Sequence, residues 1–305
     1  MFATLIVGVI AGEFILRFKN SNMENYEIEM WRYAKELKIT SSNPILSHEH
    51  IPRKEATLQS VNIRFNSLGL RGAEIPDNSS RRILFLGSSI TLGWGVDEEN
   101  TVTRRLEHRM RAAGQNVNVI NGGVGNYNTE RYVEFFLTKL THLKPTDIVV
   151  HYFINDAENL ESGGGNWFLH NSQLAVTLWI VINRFFQDGT ETSLVEHYKR
   201  VYREDSPGYM AMVNALEKLK EYCYQNKINA YLVVMPDVNN LTNYPFDFVH
   251  TRMHKVSKKL GYRFVDLFPA FKTLAPEDIW AMDGDPHPNT LGHEIMSESL
   301  YPILK

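Results

Sequence analysis

After Arg81 the chain falls into an alternation that few folds accommodate. Five short apolar runs, RILFLG (82 to 87), NVNVIN (116 to 121), DIVVHYFI (147 to 154), NAYLVVM (229 to 235) and RFVD (263 to 266), are separated by helix-like stretches. The runs are rich in Val, Ile and Leu, as expected for strands covered on both faces. In TVTRRLEHRMRAAG, Val102, Leu106 and Met110 recur four apart and Gly114 follows as a stop. Repetition of strand, helix, strand predicts a three-layer α/β domain: a mostly parallel five-stranded sheet with helices on both faces. In such sheets the chemistry gathers beyond the carboxyl ends of the strands.

Four segments stand out. GSSITLGWG follows the first strand, NGGVGNYNT the second and NDAEN the third, and DGDPHPNTLGH lies near the C-terminus. Each alone is ordinary turn chemistry. Together, in this order, they resemble the blocks of the SGNH (GDSL-type) hydrolases, named for Ser, Gly, Asn and His. The first block of that family, Gly-Asp-Ser-x-Thr-x-Gly, is matched by Gly87, Ser88, Ser89, Ile90, Thr91, Leu92 and Gly93. The second is matched by residues 121 to 129, the third by Asn155 and Asp156, and the last by His287, Pro288 and Asn289. The resemblance runs from about 80 to 305, loosely between 157 and 210. It implies a flavodoxin-like sheet and serine esterase or acyl-transfer activity.

The chain departs from the family pattern at four positions, which is what keeps a non-catalytic binding module open as an alternative. Ser88 replaces an aspartate, and Phe153 replaces a glycine two residues before Asn155. Asn126 stands where the family has its oxyanion glycine, with Gly125 just before it. The function there belongs to a backbone N–H, which a non-glycine residue supplies if its backbone angles permit. Three residues before His287, where the family has an aspartate, is Gly284, flanked by Asp283 and Asp285.

The chemistry expected of these residues is nucleophilic. A serine hydroxyl attacks only when a base takes its proton. Ser89 is the expected nucleophile, and His287, between Pro286 and Pro288, is the expected base. Asp285, with Asp283 as the alternative, would accept the other imidazole N–H. The Ser89 N–H, the N–H of Asn126 (alternatively Gly125) and the Asn155 side-chain amide are the expected oxyanion donors. The resulting expectation is a serine-dependent hydrolase of carboxylic esters, working through an acyl-enzyme. Its substrates would carry small or medium O-acyl groups on a sugar, lipid or metabolite. An O-acyltransferase using the same Ser-His pair is the chemical alternative; a non-catalytic binding module on this fold is the alternative of another class.

No cofactor or metal is expected. No Gly-Lys-Ser/Thr follows GSSITLG, and His287 and His293 lack companions at ligand spacing. His293 is expected to open or cap the last helix. The net charge of −3 and the absence of a basic stripe speak against nucleic acid. The single cysteine, Cys223, precludes an internal disulfide and reads as a buried, inert thiol. Nothing in the sequence specifies the oligomeric state.

The N-terminal 80 residues are harder to read. MFATLIVGVIAGEFIL is broken by Glu13 and followed by Arg17 and Lys19. It is shorter than the ~20 residues that span a bilayer. Residues 1 to 19 are expected to be a membrane anchor or signal-like helix, holding the catalytic domain outside the cytoplasm. The alternative is an amphipathic helix packed on a cytoplasmic protein. Residues 20 to 80 read as an extension or linker packed on the hydrolase domain at 81 to 305. Within it, NSNMENYEIEMWRYAKELKIT is a helix or juxtamembrane linker, and ATLQSVNIRFNSLGLRG is a strand ending in a turn. Asn66, Gly69 and Arg71 would fix that turn, with substrate binding by Arg71 the lesser reading. Residues 157 to 210 read as a helical insertion bordering the active site. Trp167, Phe168, Leu174, Trp179, Phe185 and Phe186 are its apolar surface.

Overall fold

A computed structural model describes residues 2–76, 78–160, 169, 171–186, 191–283, 285 and 287–305. The chain opens with helix α1 (Phe2–Lys19) and helix α2 (Tyr26–Leu37). Two hairpins follow: β1 (Lys38–Thr40) with β2 (His48–His50), and β3 (Glu55–Leu58) with β4 (Val61–Arg64). The single strand expected at 56 to 72 is thus a hairpin. Its turn is Gln59-Ser60, with φ of +48° and +62°. Neither residue advertises a left-handed turn, and the Gln59 N–H is anchored on Glu29 Oε2 at 2.8 Å.

The main sheet contains β5 (Arg81–Gly87), β6 (Val117–Gly123), β7 (Asp147–Tyr152), β8 (Asn229–Val234) and β9 (Arg263–Asp266). All neighbours pair in parallel, in the order β6-β5-β7-β8-β9. This is the flavodoxin-like order, and it reverses direction between β5 and β7. The expected third strand stops at Tyr152 because Ile154–Ala157 coils into a 3₁₀ turn.

Helices cover both faces: α3 (Ser89–Leu92), α4 (Val102–Ala112), α5 (Thr129–Phe135), α6 (Gln173–Phe186), α7 (Glu191–Val201), α8 (Pro207–Gln225), α9 (Asp247–Leu260), the short α10 (Phe268–Phe271) and α11 (Pro276–Ile279), and α12 (Thr290–Leu304). The Val102, Leu106 and Met110 stripe of α4 is fully buried. Cys223 is buried in α8, and burial pushes its thiol up to about 12.

The membrane-anchor expectation for residues 1 to 19 finds no support: among the described residues, no helix is long and apolar enough to cross a membrane. Helix α1 packs beside α6. Glu13, the polar break in its apolar run, caps that helix. Its carboxylate accepts from the N–H groups of Gln173 at 3.0 Å and Leu174 at 2.9 Å, and from Ser172 Oγ at 2.9 Å. Trp167 and Phe168, and the side chains of Phe185 and Phe186, lie outside the described residues.

Candidate active site

Strand β5 ends at Gly87, where a Cβ would overlap the Thr91 hydroxyl and lie 2.7 Å from the His151 carbonyl. Glycine lets the chain turn back immediately into the single turn of α3, which Gly93 closes at φ +78°. Ser89, the first residue of that turn, is half-buried at the carboxyl edge of the sheet, where the strand order reverses.

His287 reaches Ser89 from the loop before α12. Two backbone bonds hold that loop: Ala281 N–H to the His287 carbonyl and Asn289 N–H to the Ile279 carbonyl, both 2.8 Å. His287 Nε2 lies 2.6 Å from Ser89 Oγ. On the other side, Nδ1 lies 2.5 Å from Asp285 Oδ1, which also accepts the His287 backbone N–H at 2.9 Å. Gln59 Nε2 donates to Asp285 Oδ2 at 3.1 Å. With Asp285 accepting from Nδ1–H, Nε2 is free to accept from the serine hydroxyl.

Of the two candidate aspartates, Asp285 is 1% exposed, whereas Asp283 is exposed and lines a surface hollow. The Tyr26 ring lies 5.9 Å from the imidazole. Burial, reinforced by the negative charges of Asp285 and Glu27, drives the Tyr26 phenol above its ordinary range and keeps it neutral.

The other expected donors leave neighbouring strands of the same edge. The Val124 N–H ties the loop after β6 to the Gly87 carbonyl at 3.1 Å. Asn126 adopts φ +65°, the left-handed conformation natural to glycine, which asparagine tolerates. The alternative donor, the Gly125 N–H, is already given to Tyr33 Oη at 2.9 Å. Asn155 is exposed in the turn after β7. Its neighbour Asp156 takes the capping role, accepting the Phe153 N–H at 3.1 Å.

Two assignments outside the site are settled by packing. His293 does not cap its own helix; Asn289 does, accepting from Leu291 and Gly292. His293 is buried in α12, and its Nδ1 accepts the Val102 N–H at the start of α4, 3.1 Å away. Arg71 is buried, with Nη1 on the carbonyls of Leu92 and Gly93 and Nη2 on that of Val96. It fixes the loop after α3.

Sequence reasoning missed the contribution of the extension: Tyr26 against His287, Gln59 on Asp285, and Tyr33, Lys38 and His48 around Gly125. No spacing marks these residues. The only signal is a concentration of Tyr and His in an otherwise polar stretch.

The GDSL-like lipase/acylhydrolase family model matches residues 85–295. Among solved structures, TesA is similar with a TM-score of 0.50 at 14% identity, covering 74% of this chain and 98% of that one. A catalytic mutant of Axe2, an acetylxylan esterase from Geobacillus stearothermophilus, gives 0.49 at 17% identity, covering 76% and 97%. A two-domain esterase (CEX) active on acetylated mannans gives 0.47 at 17% identity; 73% of this chain is covered, but only 48% of that protein, about half its length. No curated protein matches the chain. At these identities the likeness to TesA speaks to the fold alone. The family match reaches further, because it begins within β5 and ends within α12 and so takes in all four motif segments; the chain therefore belongs to the GDSL-like lipase/acylhydrolase family, as an esterase of the SGNH type.

Proposed function

We propose that the protein hydrolyses carboxylic esters through a Ser89 acyl-enzyme. The observation that carries this reading is the continuous chain from Ser89 Oγ through His287 to buried Asp285. Ser89 Oγ attacks the ester carbonyl carbon while His287 Nε2 takes its proton. Asp285 stabilises the imidazolium and holds the ring in the required tautomer. Negative charge on the former carbonyl oxygen is met by the N–H groups of Ser89 and Asn126 and by the Asn155 amide. Loss of one such donor typically costs about 3 kcal/mol of transition-state stabilisation. Collapse of the tetrahedral intermediate expels the alcohol, which receives the proton from His287. Water then repeats the sequence on the acyl-enzyme and releases the acid.

What lies beside Tyr26 supports a reading of the substrate class. A hollow of about 450 Å³ is lined by Asn20, Asn22, Asn25, Glu27 and Asp283 among others. Amide and carboxylate side chains suit a hydroxylated alcohol, so the reading is an O-acyl group of small or medium size on a sugar or similarly polar metabolite.

The test is nucleophile loss. Ser89→Ala and His287→Ala are each expected to abolish nearly all hydrolysis of p-nitrophenyl acetate, and the double variant to be little worse, because the pair acts as a unit. A fluorophosphonate probe is expected to label Ser89 alone. Turnover retained by Ser89→Ala refutes the covalent mechanism. Acyl transfer to an added alcohol at the expense of hydrolysis would make the enzyme an acyltransferase.

A further inference from the structure

Three side chains of the N-terminal extension converge on one residue, Gly125, and so on the peptide joining it to Asn126. The Lys38 ammonium donates to the Gly125 carbonyl at 2.8 Å, and His48 Nε2 lies 2.9 Å from the same oxygen. Burial and the charge of Lys38 hold His48 down at about 3, so its ring is neutral and donates through Nε2–H. The Gly125 N–H donates to Tyr33 Oη at 2.9 Å, and the Tyr33 hydroxyl donates to His50 Nε2 at 2.6 Å. His50 Nδ1–H completes the series on the Gly69 carbonyl at 2.8 Å. The fit is steric too: a Cβ on Gly125 would lie 2.5 Å from Tyr33 Cε1. Beyond the peptide, Arg131 Nη1 donates to the Asn126 carbonyl at 3.2 Å.

In a trans peptide the C=O and N–H point in opposite directions. Donors gathered on the Gly125 oxygen therefore fix the direction of the Asn126 N–H. A cation at that oxygen also polarises the peptide and makes its N–H a stronger donor.

We propose that Lys38 is a positioning residue for ester hydrolysis: with His48 it grips the Gly125 carbonyl, and so aims and strengthens the Asn126 N–H as an oxyanion donor. The proposal rests on the roles given above to Ser89 and Asn126. Lys38 acts through the peptide and touches neither ester nor nucleophile.

The charge on Lys38 is poised to change. Burial, aided by Arg131, holds its ammonium down at about 7. The groups around it are Tyr33 of α2, whose ring centre is 4.2 Å from Nζ, His48 and His50 of β2, and Arg131 of α5. Glu49 of β2 pairs with Lys139 at 3.4 Å. Burial keeps Tyr33 and both histidines neutral, and Arg131 remains a cation, so Lys38 is the member of this group that titrates near neutrality.

The experiment measures kcat and KM for p-nitrophenyl acetate across about pH 5.5 to 9 in the wild type, Lys38→Met, Lys38→Arg and Ser89→Ala. Lys38→Met is expected to lower kcat about tenfold with KM changed less than about twofold, since the donor is misaimed rather than removed. Lys38→Arg is expected to restore most of kcat. The wild type is expected to lose kcat as pH rises through about 7, and Lys38→Arg to remove that decline. Unchanged kcat in Lys38→Met, or loss through KM alone, overturns the proposal. If Lys38→Met does not fold, Lys38→Arg decides: an alkaline limb identical to that of the wild type overturns it. An inactive Ser89→Ala beside a normal Lys38→Met defeats the positioning role alone; an active Ser89→Ala removes the catalytic reading and the proposal with it.

Discussion

Asp285 and Asp283 lie two and four residues before His287, and their surroundings separate them completely. Asp285 is buried and accepts from the His287 ring, the His287 backbone and Gln59. Asp283 is exposed. Asp285→Asn is therefore expected to lower kcat by about a hundredfold or more, with the melting temperature little changed, because it disturbs tautomer and charge rather than core packing. Asp283→Asn is expected to stay within about twofold. Kinetics of the two variants at pH 7 check this; the opposite ranking would move the role to Asp283. At this scale the sequence offered a serine, a histidine and a choice of two carboxylates, and the structure brings Ser89, His287 and Asp285 within hydrogen-bond reach. Burial and the bond to the imidazole favour Asp285, and one of its donors, Gln59, is more than two hundred residues away in the chain. The same holds for Asn126 against Gly125: only the Tyr33 hydroxyl, remote in sequence, reveals that the Gly125 N–H is engaged.

Elements with strong periodicity were legible, and those built on local polar exceptions were not. Strands β5 to β8 and the α4 stripe follow directly from apolar patterning, because each buries a continuous face, whereas the short β9 buries only Val265. Glu13 is the contrary case: a carboxylate inside an apolar run, read as a break in a membrane segment, that caps α6. Burial acts to raise its carboxyl, but hydrogen bonds from Leu174, Gln173, Arg17 and Ser172 outweigh this and hold it at about 2 against an ordinary 4.5. A carboxyl depressed in the folded state stabilises above its unfolded value, and that contribution fades as pH falls from about 4.5 towards 2. Glu13→Gln is accordingly expected to destabilise by roughly 1 kcal/mol at pH 7, the usual worth of a helix cap, and by progressively less below pH 4.5. Thermal melts of both proteins at pH 7 and at about pH 3 check the sign. A deficit that grows on acidification would contradict the cap.

For the molecule as a whole, the question is whether the extension is a linker or part of the folding unit. The apolar residues of the extension that share a core are divided between α2 and the hairpin segment of β3 and β4, so no single sequence window shows that core. In the fold, Tyr33, Leu37, Leu58, Ile63 and Phe65 close a small core on Leu92 and Trp94, which belong to the α3 turn and the loop after it. The guanidinium of Arg71 is spent on three carbonyls of that loop, and Arg71 bridges by backbone to Asn121 in β6. Gln59 reaches Asp285 from the same extension. Detaching the extension would leave the α3 turn without its cover and a buried carboxylate without one of its donors, so neither part is expected to unfold alone. Calorimetry of the full chain is expected to show the extension melting with the sheet in one transition, with calorimetric and van't Hoff enthalpies in agreement. Tyr33→Ala, which opens the small core, should cost about 3 to 5 kcal/mol, as aromatic truncations in cores do, and should lower that same transition rather than create an earlier one. A separate low-temperature transition confined to residues before 81, seen as early hydrogen exchange in α2 and the two hairpins, would show that the extension is an independent attachment and that the active site keeps its geometry without it.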